Sequence, residues 1–428
     1  MSAKGSHSSK RVRPPDPKLQ PASASGPGWR VIHACEYARD VLPVAEGQVA
    51  VGMRPYIVTP QGGGAAELYL AGKEQGQPLP LSLLRSWQDV RNWRKSILDC
   101  EPEVSADLVH AHCFPAGMAA VRSCNCVVYD LRDCIDELAL ATGQCEPASW
   151  MGRSFRAAEQ FILSRAAAVI VHSLGMKDAA EERGAPTANT FLVPDPLSLE
   201  DAMAVSTGTL PGFHFGPGTT VFFVPQLMAA GKDKLPPAAM FVFEAFALAA
   251  RELDDCRLLL EVAEGAWPSL RQQAREMDIA HQVTFVDASN AAAAWQNTQV
   301  TIALADLNRD PRALRRGNPN CLKALRQGTA LLAADLPRNR EASPEGRGCL
   351  WFKPNDARDL GRRMTFLGSN PDFRAALAAS GRAHILETRN HIAIGRKYGE
   401  AYRHAAGRKK AKGNGPGLTA FHPAANCA

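Results

Sequence analysis

Histidine and cysteine are the residue types with the widest chemical reach, and this 428-residue sequence holds eleven of each. The cysteines form no CxxC pair. Cys124 and Cys126 enclose a single residue, too close for a zinc ribbon and without a matching second pair. Scattered thiols of this kind read as reduced, mostly buried side chains of a cytosolic protein. His33, His172 and His281 have no partner at ligand spacing and read as structural, so no metal is expected. His110 and His112 differ, because both close the short apolar run Asp107-Leu-Val-His-Ala-His112. Asp130 closes the next run, Cys126-Val-Val-Tyr-Asp130, and Asp133 follows it. Imidazole at a strand end suits orientation of a hydroxyl and charge stabilisation more than formal base chemistry. Satisfied structural histidines are the competing reading, more so for His110, and the two aspartates either orient a substrate or cap the next element.

Such side chains need a frame. Before residue 199, apolar runs at Arg30–Cys35, Arg54–Thr59, Asp107–His112, Cys126–Asp130, Ala166–Ser173 and Thr190–Pro194 alternate with helix-length intervals. After residue 218 the alternation resumes with Thr220–Val224, Arg257–Val262, Gln282–Val286, Thr301–Leu304 and Ala330–Ala334. Between them, Pro237–Glu252, Ala266–Met277, Ala291–Gln296 and Asn320–Gln327 read as helices. Apolar strands separated by helices predict parallel sheets covered on both faces. The expected fold is α/β, with two Rossmann-like doubly wound domains at 29–198 and 219–385. A Gly/Pro/Ser-rich linker occupies 199–218. A helix at 386–406 is expected to pack back on the first domain, and 1–28 and 407–428 read as disordered tails, the second basic.

Ligands of parallel α/β sheets sit at the carboxyl ends of the strands, where helix N-termini offer unpaired amides. The first strand here runs into Ala34-Cys-Glu-Tyr-Ala-Arg39, which lacks the GxGxxG of dinucleotide enzymes, and no GxxxxGK[ST] loop occurs. Both absences argue against hydride transfer and P-loop hydrolysis. The run Gly62-Gly-Gly64 reads as a flexible loop. Trp87 and Trp93 lie in a basic, helical stretch at Arg85–Lys95, read as a half-exposed helix or as a membrane or acceptor contact.

Asp107–His112 resembles the D-V-V-H-A-H strand end of family-4 glycosyltransferases, which have the two-domain GT-B fold. Tyr129-Asp-Leu-Arg-Asp133, Glu159 with Arg165–Ser173, and Leu192-Val-Pro-Asp-Pro196 are similar to the motifs that follow in that family. In the second half, Phe223-Val-Pro-Gln-Leu227 is similar to V-G-R-L, and Gly317-Asn-Pro-Asn-Cys-Leu322 with Gly328 is similar to the donor-site loop and helix. Asn355–Leu360 resembles the segment after the last strand. The resemblance spans about residues 29–405.

It implies transfer of a sugar from a nucleotide-diphosphate donor to a glycan or lipid-linked acceptor, with retention, no essential metal and no cofactor beyond the donor. On the first domain it points to His112 and Asp130 as catalytic residues. On the second it points to Gln226, Lys232, Lys234, Arg316, Asn318, Asn320, Leu322 and Lys323 for the donor. Gln226 stands where the family has an Arg, and a neutral amide supplies neither charge nor a bidentate fork. Lys232 or Lys234 fills the family's Lys role or is solvated. Asn320 also reads as a plain helix cap. Arg316 and, depending on a one-residue gap, Lys323 or Ala324 stand where the family keeps two glutamates, so a second reading is a non-catalytic GT-B relative that binds sugar or nucleotide, or acts as a scaffold.

The formal net charge is +6. Residues 1–28 contribute Lys4, Lys10, Arg11, Arg13 and Lys18 against Asp16 alone, and 408–413 read Arg-Lys-Lys-Ala-Lys-Gly. The body is therefore not strongly basic, and a nucleic-acid partner is not implied. No apolar window is long enough to span a membrane, so the expected location is cytoplasmic, with peripheral membrane contact as the further option.

Overall fold

The structure is a computed structural model, and it describes residues 28–36, 41–59, 62–65, 87–196, 215–216, 218–227, 237–304 and 315–412. Residues 1–27 and 413–428, the linker segment 199–214, and Lys232 and Lys234 lie outside the described residues. Residues 407–412, expected in the disordered basic tail, instead continue the last helix, which runs from His391 to Lys412 and not over 386–406.

The first sheet contains β1 (Arg30–Ala34), β2 (Arg54–Thr59), β3 (Gly62–Ala65), β4 (Leu108–Ala111), β5 (Val127–Asp130), β6 (Ala168–Val171) and β7 (Thr190–Leu192). Their spatial order is β3-β2-β1-β4-β5-β6-β7. All pairs are parallel except β2–β3, where Val58 faces Gly63 and Thr59 faces Gly62 in an antiparallel edge pair. The glycine run expected as a loop is therefore a strand. Ladder hydrogen bonds need no side chain, and the open edge of β2 supplies the partners that glycine propensity alone does not predict.

The second sheet contains β8 (Thr220–Val224), β9 (Cys256–Glu261), β10 (Val283–Val286), β11 (Val300–Ala303), β12 (Ala330–Ala334) and β13 (Cys349–Phe352). It is wholly parallel, in the order β10-β9-β8-β11-β12-β13. Strand alternation splits each apolar run between two cores. Phe222 and Val224 enter one cluster, and Val221 and Phe223 enter the cluster on the opposite face. Full burial of each such side chain contributes roughly 1.5–3 kcal/mol. Both domains are thus doubly wound α/β layers, as the alternation predicts.

The helix His391–Lys412 returns to the first domain and buries Ile394, Tyr398, Ala401, Tyr402 and Ala405 in the same cluster as Val31, Val44 and Ile57. It crosses the helix Leu42–Ala50 at two glycines. A Cβ on Gly395 would lie 2.3 Å from the Gly47 oxygen, and one on Gly47 would lie 2.3 Å from the His391 oxygen. Only glycine permits that approach.

Candidate active site

Parallel pairing brings the carboxyl ends of β4, β5 and β6 side by side, with Asp130 in register with Ile170. His112 and His172 each stand just past a strand end and turn onto Asp130 between them. Asp130 Oδ2 accepts from His112 Nδ1 at 2.9 Å, and Oδ1 accepts from His172 Nε2 at 2.6 Å. Arg132 Nε lies 3.4 Å from the same carboxylate. Burial pushes the Asp130 carboxyl up, but Arg132, His172 and the two hydrogen bonds outweigh it and hold the group well below the ordinary range.

The second nitrogen of His172 donates to the Val193 carbonyl at 2.7 Å and lies 3.4 Å from Asp195. With acceptors on both sides, the ring carries both protons. Burial opposes that charge, while Asp130 and Asp195 favour it, and the net shift is upward. His112 Nε2 turns inward to His33 Nδ1 at 2.8 Å. His33 Nε2 meets Gln48 Oε1 at 2.8 Å, Gln48 Nε2 donates to the Tyr402 hydroxyl at 2.8 Å, and His110 Nδ1 meets that hydroxyl at 2.8 Å. Burial keeps these three imidazoles neutral. It pulls His33 to about 3 with help from His112, pulls His110 well below its ordinary value, and lowers His112 despite the Asp130 hydrogen bond. Both nitrogens of His112 are engaged inside the protein, and Arg132 and Asp195, 3.5 Å apart, are the members of the group that reach solvent.

On the second domain, the loop after β8 places Gln226 in a left-handed conformation, φ 53°, with its amide donating to Glu261 Oε2 at 3.3 Å. The helix Pro319–Gln327 is capped by Asn318, whose Oδ1 accepts from the Asn320 amide at 3.0 Å. The cap is therefore Asn318 and not Asn320, because Pro319 occupies the first helical position. Asn318 Nδ2 donates to Asn339 Oδ1 at 2.9 Å, which fixes the cap from behind. Lys323 Nζ sits 4.7 Å from the Trp295 ring centroid, and burial pushes the nearby Glu261 carboxyl up despite the opposing effects of the Gln226 backbone amide and Lys323.

The two domains meet along this segment. Arg316 pairs with Asp133, and Arg315 Nε lies 3.1 Å from Glu137. The Arg315 carbonyl accepts from Ser173 Oγ at 2.6 Å, and a Cβ on Gly175 would lie 2.6 Å from that same oxygen. Glu341 Oε1 accepts from the Leu174 amide at 2.8 Å, capping the helix Leu174–Glu182 from the other domain. Its second oxygen is 3.1 Å from the Cβ position of Gly317. No carboxylate occupies the two motif positions, yet Glu341 and Glu261 stand beside the segment from Arg316 to Lys323.

Residues 36–196 match the family model described as a glycosyl transferase 4-like domain. No curated protein matches the sequence significantly. Among solved structures, a glycosyltransferase from Rickettsia africae is similar at TM-score 0.61 and 11% identity, covering 88% of this chain and 98% of that one. HepE of Anabaena, solved in complex with UDP, is similar at TM-score 0.58 and 12% identity, covering 87% and 99%. Sucrose-phosphate synthase from Thermosynechococcus elongatus is similar at TM-score 0.52 and 15% identity, covering 87% and 98%. Residues 36–196 thus match a glycosyl transferase 4-like domain, and the chain as a whole has the two-domain GT-B fold of these structures.

In this chain, the geometry joins His112 to Asp130 and places Asn320, Leu322 and Lys323 on one helix, capped by Asn318. Arg316 is drawn across that boundary to Asp133. His33 and His172, expected as isolated structural histidines, instead belong to the Asp130 network. Sequence spacing missed them because their partners come from different strands. Glu261 and Glu341 were missed for the same reason, whereas Arg132 lies only two residues from its partner Asp130, inside the Tyr129–Asp133 motif. One signal was available: His172 follows β6 as His112 follows β4, so parallel register alone would have paired them.

Proposed function

We propose that the chain transfers a sugar from a nucleotide-diphosphate donor to a hydroxyl of a glycan or lipid-linked acceptor, with retention and without a metal in the transfer step. One observation carries the reading: the strand ends holding Asp130, His172 and Arg132 share a boundary with the capped helix Pro319–Gln327 of the other domain. A diphosphate leaving group gains negative charge as the glycosidic bond breaks, so the site must aim cations and amides at it. The helix N-terminus supplies partial positive charge. Gln226 supplies a neutral amide, and Lys232 and Lys234 supply the cations. On the first domain, Asp130 fixes Arg132 and His172 at the boundary. His112 orients a substrate hydroxyl once its Nε2 leaves His33. The scattered cysteines of the sequence, with no CxxC pair, support a cytoplasmic location. Among the described residues no helix is long and apolar enough to cross a membrane.

Calorimetric titration with UDP, GDP and ADP, followed by hydrolysis assays on the matching sugar nucleotide, tests the proposal. At least one diphosphate binds, and Lys232→Ala or Lys234→Ala weakens it about tenfold, ~1.4 kcal/mol. Absence of binding by all three overturns the donor site. A second reading, a non-catalytic sugar- or nucleotide-binding relative, is favoured by Arg316 and Lys323 at the glutamate positions. Binding without hydrolysis or transfer, across a panel of acceptors, selects it.

A further inference from the structure

We propose that His33, His110 and His112 hold one divalent transition-metal ion of the zinc class, as a structural site inside the first domain. The site shares His112 with the proposed transfer site, and an ion here holds that ring's Nε2 away from a substrate hydroxyl; metal binding and nucleoside diphosphate binding are measured separately, so the two readings fail by different results. One nitrogen from each of the three rings lies within 4.8 Å of the others, and the ring centroids are 4.0–5.2 Å apart. Zinc sites of three imidazoles have this composition, with a water completing the tetrahedron.

The far nitrogen of every ring is already anchored. His112 Nδ1 is held by Asp130 at 2.9 Å, His33 Nε2 by Gln48 Oε1 at 2.8 Å, and His110 Nδ1 by the Tyr402 hydroxyl at 2.8 Å. This is the outer shell that metal-ligating histidines require, a carboxylate among its members. It leaves His112 Nε2, His33 Nδ1 and His110 Nε2 as the inward-facing atoms. His110 Nε2 is fully buried and has no hydrogen-bond partner among the described residues. A buried nitrogen left unsatisfied is destabilising unless a ligand meets it.

The second observation is the 2.8 Å separation of His33 Nδ1 from His112 Nε2. With Gln48 Oε1 taking the His33 Nε2 proton and Asp130 taking the His112 Nδ1 proton, two lone pairs face each other there. A positive centre must stand between them. Reversing the Gln48 amide moves the His33 proton to Nδ1 and supplies it; otherwise a metal ion does. Zinc–nitrogen bonds of about 2.0–2.1 Å set tetrahedral nitrogens about 3.3 Å apart, so the two rings separate by roughly half an ångström. The proton count of the three imidazoles is the same in both states. An ion here ties β1 and β4, through Tyr402, to the returning helix His391–Lys412.

The test uses the full chain, stripped with chelator and titrated with Co²⁺ and then Zn²⁺. The expected result is one equivalent of Co²⁺ with tetrahedral d–d absorption, no thiolate charge-transfer band, and displacement by Zn²⁺ with a raised thermal midpoint. His110→Ala weakens Zn²⁺ binding by ~100-fold or more, and Gln48→Leu, which keeps all three ligands, weakens it by about 10–100-fold. Absence of bound Co²⁺ at one equivalent in the wild-type chain overturns the proposal. So does a thiolate band, or binding that survives His110→Ala unchanged.

Discussion

His172 Nε2 donates to Asp130 Oδ1 at 2.6 Å while Nδ1 of the same ring donates to the Val193 carbonyl at 2.7 Å, so the imidazole is held as a cation between two acceptors. The carboxylate is buried, and its remaining oxygen carries His112 and Arg132. Neighbouring strand ends thus exchange charge in a place that water does not reach, where removing one partner costs more than the pair contributes.

Asp130→Asn is accordingly expected to destabilise the protein by about 3–5 kcal/mol, because it leaves the largely buried imidazolium with only the exposed Asp195 as counter-charge. The pH dependence has two limbs. The raised His172 value gives stability that is complete below the unfolded value of about 6.5 and is lost as pH rises through the folded value. The depressed Asp130 value gives stability present above about 3.9 and lost as pH falls through its folded value. Urea unfolding at a series of pH values, on wild type and His172→Gln, checks this: the variant should lack the alkaline limb. An unchanged slope above pH 6.5 in His172→Gln would show that the ring is neutral in the folded state.

The strand ends were legible because apolar runs in a parallel sheet announce where they stop. His112, Asp130 and the helix at Asn318–Lys323 followed from those stops. What spacing cannot show is which strand ends become neighbours. His33 reaches His112 across 79 positions and His110 reaches Tyr402 across 292, so the polar network exists only once β1, β4 and the last helix are packed. The glutamate question illustrates the same limit. Arg316 and Lys323 leave the motif without carboxylates, while Glu261 from the end of β9 and Glu341 beyond β12 stand beside it.

The crossing of the helices Leu42–Ala50 and His391–Lys412 depends on the absence of two side chains. Gly395→Ala puts a methyl 2.3 Å from a backbone oxygen that has no room to yield. Overpacking of this kind costs typically about 1–3 kcal/mol, and the returning helix must lift from the first domain to relieve it. A lower urea midpoint and faster amide exchange at Tyr398 and Tyr402 are expected. Gly407→Ala, with open space at its Cβ, serves as the control and should leave both unchanged.

Arg183 is 1% exposed, and its guanidinium meets Asp136 at 3.0 Å, Glu137 at 2.9 Å and Glu159 at 3.2 Å. Burial disfavours its charge, but these neighbours hold it on. Arg183→Ala strands three carboxylates around a cavity and is expected to cost about 3–5 kcal/mol in chemical denaturation. Arg183→Lys recovers only part of that loss, since a point charge cannot match three carboxylates as a planar fork does. Full recovery with lysine would mean that charge alone, and not the fork, matters at this position.

Arg316 is half exposed, so its bond to Asp133 contributes at most about 1 kcal/mol to global stability. Its importance lies in position, because the pair spans the domain boundary beside the helix Pro319–Gln327. Arg316→Glu places two carboxylates together and should drive the domains apart, seen as a larger radius of gyration in solution scattering. The charge swap Asp133→Arg with Arg316→Glu restores the attraction and should return the profile to that of wild type. Scattering curves that superpose for wild type and Arg316→Glu would mean that Ser173, Arg315 and Glu341 hold the boundary by themselves. Arg316→Ala separates a second role: if Asp133 keeps its guanidinium, nucleoside diphosphate affinity changes by less than about threefold, ~0.7 kcal/mol, whereas a larger loss assigns Arg316 to the donor site.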